Sequence, residues 1–375
     1  MIQSMNNSIF QQFKISSYIM NQKLNNVKRY PLVLMLEPKF RSNLKSPLCG
    51  KTDYPDAALD EYLSPERCFY ALKECGAPVV AIAGGEPLLH DDMPEIVEGL
   101  IKRKKFVYLC TNGLLINRCI YDYVPSKYFY WSVELDGFQE DHDKIVDKQG
   151  AFEEAVSGIK YAKSRDFNVT VNCTLYLHQR TKSIIEFFNF LTNDLKVDGI
   201  NISPSYPYER AIDQKHFLSR ENTKRIFRAI FLSKKFKKWK LNHTPLYLDF
   251  LAGNQSYYCK PWSNPTFNIF GWQKPCFHLN EGYYKTFEEL MEKTLWDQYG
   301  TGSYEKCADC MTHCGYEGAA IEDMYERPFK ALSKKLFGIK TRGSMSPEIN
   351  LKDARPAEDV YDRLVESKMY ELDLM

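Results

Sequence analysis

The chain has 375 residues, a formal net charge of +2, 44% hydrophobic residues and 14% aromatic residues. A near-neutral balance gives no reason to expect nucleic acid as a partner, and the hydrophobic and aromatic content indicates a packed core. The longest strongly apolar run, residues 32–36, is far shorter than the roughly 20 residues that cross a bilayer, and the first residues lack a secretory signal pattern. We therefore expect a globular cytoplasmic protein.

Short apolar runs alternate with amphipathic stretches, a pattern typical of βα units around a parallel sheet. The predicted strands are residues 31–36, 79–83, 106–110, 128–135, 168–176 and 199–204. The predicted helices between them are residues 65–75, 93–103, 152–165 and 183–195. The sequence thus predicts an α/β fold, a partial (β/α)6 barrel with a C-terminal cysteine-containing extension.

The predicted organisation has four parts. They are an N-terminal helix (1–27), the barrel (28–240), the Cys-rich extension (241–330) and a C-terminal tail (331–375). The first helix, about residues 9–24, carries apolar and basic residues. We expect it to pack across the bottom of the barrel, with contact to a membrane surface as the alternative.

Chemistry in parallel β/α barrels gathers at the carboxyl ends of the strands. The loop after the first strand places Ser42, Ser46 and Cys49 at the spacing x3 then x2. Three cysteines at this spacing hold three irons of a [4Fe–4S] cluster and leave the fourth iron open for S-adenosylmethionine (SAM). Only Cys49 remains here, and a serine hydroxyl must lose a proton of far higher pKa to bind iron. Cluster binding is therefore expected to be badly weakened.

The second strand is followed by Gly84, Gly85, Glu86 and Pro87. The glycines allow close backbone approach, and the carboxylate suits an ammonium group. An ordinary strand-to-helix turn is the competing interpretation. In radical SAM proteins, which the serine loop and this turn together resemble, the motif receives the methionine amino group.

Polar side chains also follow the next three strands. The third strand ends in Cys110, Thr111 and Asn112. Cys110 is interpreted either as a cysteine packed in the barrel wall or as a hydrogen-atom donor to a carbon radical. On the fourth and fifth strands, ribose hydroxyls and an inward salt-bridge network are the two interpretations, and the candidate residues are Ser132, Glu134, Asp136 and Asn172.

Eleven cysteines without an export signal favour a reducing compartment and a use in metal binding or chemistry. Four are predicted to be buried core residues: Cys68, Cys75, Cys119 and Cys173. Five others fall in the extension: Cys259, Cys276, Cys307, Cys310 and Cys314. Their clustering predicts a second iron–sulfur cluster or a structural zinc, with reduced thiols in a packed lid as the alternative.

Nearly the full length of the chain resembles the radical SAM adenosylhopane synthases of hopanoid biosynthesis. The matching segments are KRYPLVLMLEP (28–38), GAP (76–78), GGEPLLH (84–90), YLCTN (108–112), NHTPL (242–246), FGWQKPC (270–276), YEKCADCMTHCGYE (304–317) and RPAE (355–358). This sequence departs from the family at Ser42 and Ser46, where the family has cysteine, and at Glu134, where histidine is expected.

The resemblance implies that a 5′-deoxyadenosyl group from SAM is added to the terminal alkene of hopene, with a [4Fe–4S] cluster as the reductant of SAM. It implies a hopene-type triterpene substrate, a flavodoxin- or ferredoxin-like electron donor and peripheral contact with the inner face of a membrane. Cys110 would quench the product radical with a hydrogen atom. The alternative is a catalytically silent relative that binds SAM or hopanoid without radical chemistry.

Overall fold

The computed structural model describes residues 2–48, 54–208, 211–358 and 365–369, with side chains described from residue 9 onward. The strands are β1 Val33–Glu37, β2 Val79–Ile82, β3 Phe106–Thr111, β4 Phe129–Glu134, β5 Asn168–Leu175, β6 Gly199–Pro204, β7 Thr266–Asn268, β8 Gly271–Pro275 and β9 Asn280–Tyr284. The helices are α1 Ile2–Leu24, α2 Asp56–Asp60, α3 Pro65–Cys75, α4 Met93–Lys102, α5 Ile116–Cys119, α6 Gln139–Val146, α7 Ala151–Ser164, α8 Thr181–Asn193, α9 Arg220–Phe231, α10 Pro245–Leu251, α11 Phe287–Lys293, α12 His313–Glu326 and α13 Pro328–Phe337.

Strands β1 to β6 lie side by side in chain order, and every neighbouring pair is parallel. The extension continues the same sheet at the β1 edge, because β7 pairs parallel with β1 and is followed by antiparallel β8 and β9. This arrangement confirms the predicted partial barrel with a C-terminal extension.

Alternate residues of the strands pack outward against the helices. Leu36, Ile82, Leu109 and Val133 are fully buried in this layer, where parallel strands covered by helices are expected to be apolar. The other set of alternate residues faces the interior of the barrel. That inward set carries the polar side chains described below.

Helix α1 closes the amino-terminal end of the barrel. The Phe10 ring packs edge-on against Phe106 and Tyr128, with centroid distances of 6.0 and 5.8 Å, and the Gln11 side chain donates a hydrogen bond to the Tyr108 hydroxyl at 2.9 Å. The preferred interpretation of this helix, packing across the barrel bottom, is confirmed. In the described part of the chain, no helix has the length and apolarity needed to cross a membrane.

The six predicted strands all exist, with ends that agree to within two residues. Three further strands, β7 to β9, were not predicted because they are short and their inward positions are polar: Thr266, Asn268 and Gln273 are all buried. Helix α6 was also missed, since its sequence QEDHDKIV carries four charged residues in eight. Tertiary packing overrides the weak local signal in both places.

Candidate functional site

Sheet register places the predicted polar residues in two rows on the inner face of the barrel. Cys110 lies beside Ser132, which lies beside Thr170; the Thr170 hydroxyl donates to Ser132 Oγ at 3.2 Å. One step nearer the carboxyl ends, Glu134 lies beside Asn172. The interior therefore presents a band of thiol, hydroxyl, amide and carboxyl groups.

Cys110 lies at the β3 end of this band. Its side chain is partly buried, and its sulfur lies 3.8 Å from the Tyr108 carbonyl oxygen. Burial raises the pKa of Cys110 to about 12, despite the side chains of Ser132 and Asn172 beside it, which lower it. The residue consequently stays a protonated thiol at neutral pH, which keeps its S–H hydrogen in place.

The period-two set on β4 separates into different environments. The Glu134 side chain is open to solvent in the barrel interior, although desolvation by the surrounding walls still raises its pKa. Asp136 is fully buried, and its Oδ1 accepts the Thr174 backbone N–H at 2.7 Å. Burial and the nearby Glu134 raise the pKa of Asp136. Asp136 therefore joins the ends of β4 and β5, whereas Ser132 and Glu134 face the interior.

The two glycines after β2 bring two loop backbones together. A Cβ at Gly84 would lie 2.3 Å from the Lys39 carbonyl oxygen, and one at Gly85 would lie 2.2 Å from that of Phe40. The Gly85 N–H donates to Lys39 O at 3.0 Å, and the Glu86 N–H donates to Arg41 O at 2.9 Å. Only glycine permits this approach. The turn thereby positions the start of the serine loop.

The Glu86 side chain is fully buried. Oε1 accepts the Thr111 hydroxyl at 2.8 Å and the Leu88 N–H at 3.0 Å, and Oε2 accepts the Asn112 N–H at 2.9 Å. Burial raises the pKa of Glu86 to about 7, although these three donors lower it. The carboxylate thus links the turn after β2 to the end of β3. Pro87 is buried at the start of the following short helix.

The serine loop is held by hydrogen bonds to the barrel. Ser42 Oγ accepts the Leu44 N–H at 3.1 Å. Ser46 Oγ accepts the Leu48 N–H at 3.2 Å and donates to the Ile145 carbonyl oxygen at 2.7 Å. Both hydroxyls therefore have partners within the protein. Cys49, the one cysteine of the predicted cluster set, lies outside the described residues.

The cysteines of the extension come together around one cavity. The five thiols that border it are those of Cys259, Cys276, Cys307, Cys310 and Cys314. Burial is the largest influence on all five, and it raises the pKa of Cys276 to about 12. Of the cysteines predicted to be core residues, Cys68, Cys75 and Cys173 are buried, while Cys119 is half-buried.

A second polar group on the inner face was missed by the sequence reasoning. Glu37 and Asn268 lie side by side on β1 and β7 and are fully buried. Asn268 Nδ2 donates to Glu37 Oε2 at 3.4 Å and to Gln273 Oε1 at 3.0 Å. The period-two spacing of Asn268 with Thr266 was the available signal, but a three-residue strand is too short to show alternation clearly.

Two family models match separate parts of the chain. Residues 43–191 match the radical SAM superfamily, and residues 200–334 match a domain of unknown function, DUF3463. The first match begins inside the serine loop and ends in α8. The second begins in β6 and contains all five cysteines around the cavity.

Curated relatives match less than half of the chain. The chain is 28% identical over 158 residues to Fe-coproporphyrin III synthase of Methanosarcina barkeri, covering 41% of this chain and 39% of the relative. It is 31% identical over 126 residues to a probable GTP 3′,8-cyclase of Methanocaldococcus jannaschii, covering 32% and 42%. The matches thus span about two-fifths of the length of these relatives. Those names describe different reactions, and neither concerns hopanoids.

Solved structures show the same fold. Streptococcus suis SuiB superposes with a TM-score of 0.58 at 17% identity, covering 80% of this chain and 75% of SuiB. Native anSMEcpe with bound AdoMet superposes with a TM-score of 0.54 at 17% identity, covering 82% of this chain and 100% of that one. Together with the parallel barrel, the match over residues 43–191 shows that the chain contains a radical SAM domain.

Proposed function

We propose that this chain descends from, and retains the substrate sites of, an enzyme that adds the 5′-deoxyadenosyl group of SAM to a hopene-type triterpene. The segment-by-segment resemblance from residue 28 to residue 358 supports the hopanoid assignment. The structural observation that carries the proposal is the inner band of Cys110, Ser132 and Glu134 at the carboxyl ends of β3 and β4. SAM is expected at this mouth, with Thr111, Asn112 and Asn172 nearby.

The serine loop, with hydroxyls at Ser42 and Ser46, does not fit a [4Fe–4S] cluster. The superfamily implies three thiolates there, whereas Ser42 and Ser46 carry hydroxyls that are hydrogen-bonded within the loop and to Ile145. Iron binding would require each hydroxyl to ionise, and Ser46 would then lose the hydrogen bond that it donates to the Ile145 carbonyl oxygen. We therefore infer that turnover needs cysteine at both positions.

Cys110 offers the hydrogen that addition to an alkene would require. Adding a carbon radical to a carbon–carbon double bond leaves one unpaired electron on the distal carbon, and transfer of a hydrogen atom from a thiol completes the product and leaves a thiyl radical. The thiyl radical must then gain one electron and one proton to become a thiol again. The proposed flavodoxin- or ferredoxin-like donor supplies the electron. The buried, protonated state of Cys110 suits this role.

A second function is favoured by the hydrogen bonds of the two serines. A loop held by the hydrogen bonds of Ser42 and Ser46 needs no cluster to hold its shape. The chain with these serines would therefore bind SAM or a hopanoid without forming a radical. In this alternative, SAM affinity would be retained while SAM cleavage would be absent.

We further propose that the protein contacts a membrane peripherally, since a triterpene must be delivered from one. Helix α13 exposes Phe329 and Phe337 by 84% and 85%, next to Lys334 and Lys335. Apolar residues flanked by lysines suit an anionic lipid surface. Sedimentation with anionic vesicles should decrease for Phe329→Ser/Phe337→Ser and not for Val124→Ser, a loop residue exposed by 77%. Equal sedimentation of all three proteins would refute the contact.

The product decides the hopanoid assignment. Ser42→Cys/Ser46→Cys protein, reconstituted without oxygen and given SAM, a reductant and hopene, should form a product whose mass equals hopene plus the 5′-deoxyadenosyl group and one hydrogen. Release of 5′-deoxyadenosine without any hopene adduct would retain radical chemistry and reject the triterpene substrate.

A further inference from the structure

Five thiols from separate segments border one cavity in the extension. Its empty space is about 360 Å3, part of which is open to solvent. Cys259 precedes a short helix, Cys276 follows β8, and Cys314 lies in the first turn of α12, with Cys307 and Cys310 in the turn before it. The cavity also touches Tyr206, which follows β6, so it lies on the side of the barrel mouth.

The backbone around the thiols is fixed by buried hydrogen bonds. Gln273 Nε2 donates to the Cys276 and Leu279 carbonyl oxygens at 2.9 and 3.0 Å. The Tyr247 hydroxyl donates to Met311 O at 2.9 Å, in the middle of the turn that carries the last three cysteines. These contacts preorganise the thiols before any ligand binds, as a built site requires.

Gly315 allows one of the thiols to reach the cavity. A Cβ at this position would lie 2.2 Å from Cys259 Sγ. The Lys260 N–H donates to the Gly315 carbonyl oxygen at 2.9 Å, which joins the Cys259 segment to α12. The absence of a side chain at Gly315 therefore leaves space for the Cys259 thiol.

A buried cation lies beside the cavity, close to the Asp309 carboxylate, whose Oδ1 accepts the Arg220 backbone N–H at 2.7 Å. Arg220 is only 5% exposed, donates to Cys310 O at 3.0 Å, and has an Nε with no hydrogen-bond partner among the described residues. Its guanidinium faces the rings of Phe250 and Tyr316, and the described side chains give it no salt bridge. A buried cation of this kind is expensive without an anion nearby.

Thr312 adds a polar contact at the same place. Its hydroxyl lies 3.3 Å from Cys310 Sγ and 3.2 Å from Cys314 Sγ, at the amino terminus of α12. The positive end of a helix stabilises thiolates in its first turn. Arg220 and this helix end thus place positive charge on two sides of the cavity.

We propose that this cavity binds an iron–sulfur cluster through four of the five cysteines. A single zinc ion would need sulfurs about 3.8 Å apart, given Zn–S bonds of about 2.3 Å, and among the described residues no three Cys, His, Asp or Glu side chains are grouped in a way that could hold one ion. A cube of iron and sulfide holds its cysteines farther apart, around its outside. Thiols that share a cavity without converging on a point therefore favour the cluster over zinc.

The serine loop allows iron binding by the extension to be measured alone. A Cys49→Ala chain that keeps Ser42 and Ser46 has no thiolate in the serine loop, so any iron it binds reports on the extension. After anaerobic reconstitution with iron and sulfide we expect about four iron and four sulfide per chain, with the absorption and Mössbauer spectra of a [4Fe–4S] cluster. This result is independent of SAM cleavage and of the hopanoid proposal.

Adding Cys307→Ala/Cys310→Ala to this background should remove most of the iron and sulfide. Adding Cys119→Ala, a half-buried cysteine on α5, should leave both unchanged. Because the double variant could fail to fold, Cys310→Ser alone is compared as well and should alter the cluster spectrum in a chain of unchanged circular dichroism. One zinc per chain without sulfide, no bound metal, or full iron retention in the double variant would each overturn the proposal.

Discussion

The Asn112 side chain donates a hydrogen bond to Asn43 Oδ1 at 2.7 Å, which ties the end of β3 to the serine loop. Asn112 Oδ1 also accepts the Leu114 N–H at 3.1 Å. Because two hydrogen bonds are lost, Asn112→Ala should lower the free energy of unfolding by about 1–2 kcal/mol and speed hydrogen exchange around Leu44. Asn117→Ala, which removes an exposed contact to Ser157, should change neither. Unchanged exchange at Leu44 would show that the pair does not hold the loop.

The glycine turn makes a sharper prediction about stability. Gly85→Ala places a methyl group 2.2 and 2.3 Å from two backbone carbonyl oxygens, which cannot move as a side chain would. The free energy of unfolding in urea should fall by about 3 kcal/mol. At Gly150 a Cβ meets nothing within 4 Å and φ is +82°, so Gly150→Ala should cost only about 1 kcal/mol of backbone strain. Equal losses in the two variants would contradict the close packing of the loop backbones.

Glu86 predicts a pH dependence of stability. Its pKa is about 7 in the folded protein, mainly through burial, against 4.5 as the ordinary value. The folded state thus holds a proton that the unfolded state has already released, so stability should fall as pH rises from about 4.5 to 7, by up to about 3 kcal/mol from this group. Glu86→Gln cannot titrate and should lack this part of the slope, while being less stable below pH 4.5 because one acceptor becomes a donor. Parallel stability curves for the two proteins over this range would reject the raised pKa.

Cys110 is tested in the chain with the two cysteines restored. Cys110→Ala in Ser42→Cys/Ser46→Cys protein should still release adenosyl-derived products, since SAM cleavage precedes the need for a hydrogen atom. The yield of saturated hopene adduct should fall by at least about tenfold, equivalent to roughly 1.4 kcal/mol in the quenching barrier. Cys173→Ala, a buried cysteine of β5, serves as the matched control. An undiminished yield in the Cys110 variant would assign the hydrogen donation elsewhere.

Local sequence was sufficient for the six strands whose outer face is covered by helices. β1 to β6 read as apolar runs because parallel strands covered by helices must be apolar, and the inward polar positions Ser132 and Asn172 followed from period two. The hydrogen bonds of Glu86 could not be predicted in this way, since its partners Thr111 and Asn112 lie 25 and 26 residues away. Cys259 and Cys276 are likewise distant in sequence from Cys307, and only the fold brings them to one cavity.

The presence of serine at both position 42 and position 46 is the feature that most directly separates an active chain from a silent one. The decisive measurement is anaerobic release of 5′-deoxyadenosine from SAM. It compares the unchanged protein with Ser42→Cys/Ser46→Cys protein, both prepared side by side with iron, sulfide and reductant. We expect multiple turnovers from the restored chain and none above background from the chain with Ser42 and Ser46. Equal release by both would contradict the claim that the serines prevent radical chemistry, and no release by either would contradict the claim that this barrel retains a working radical SAM site.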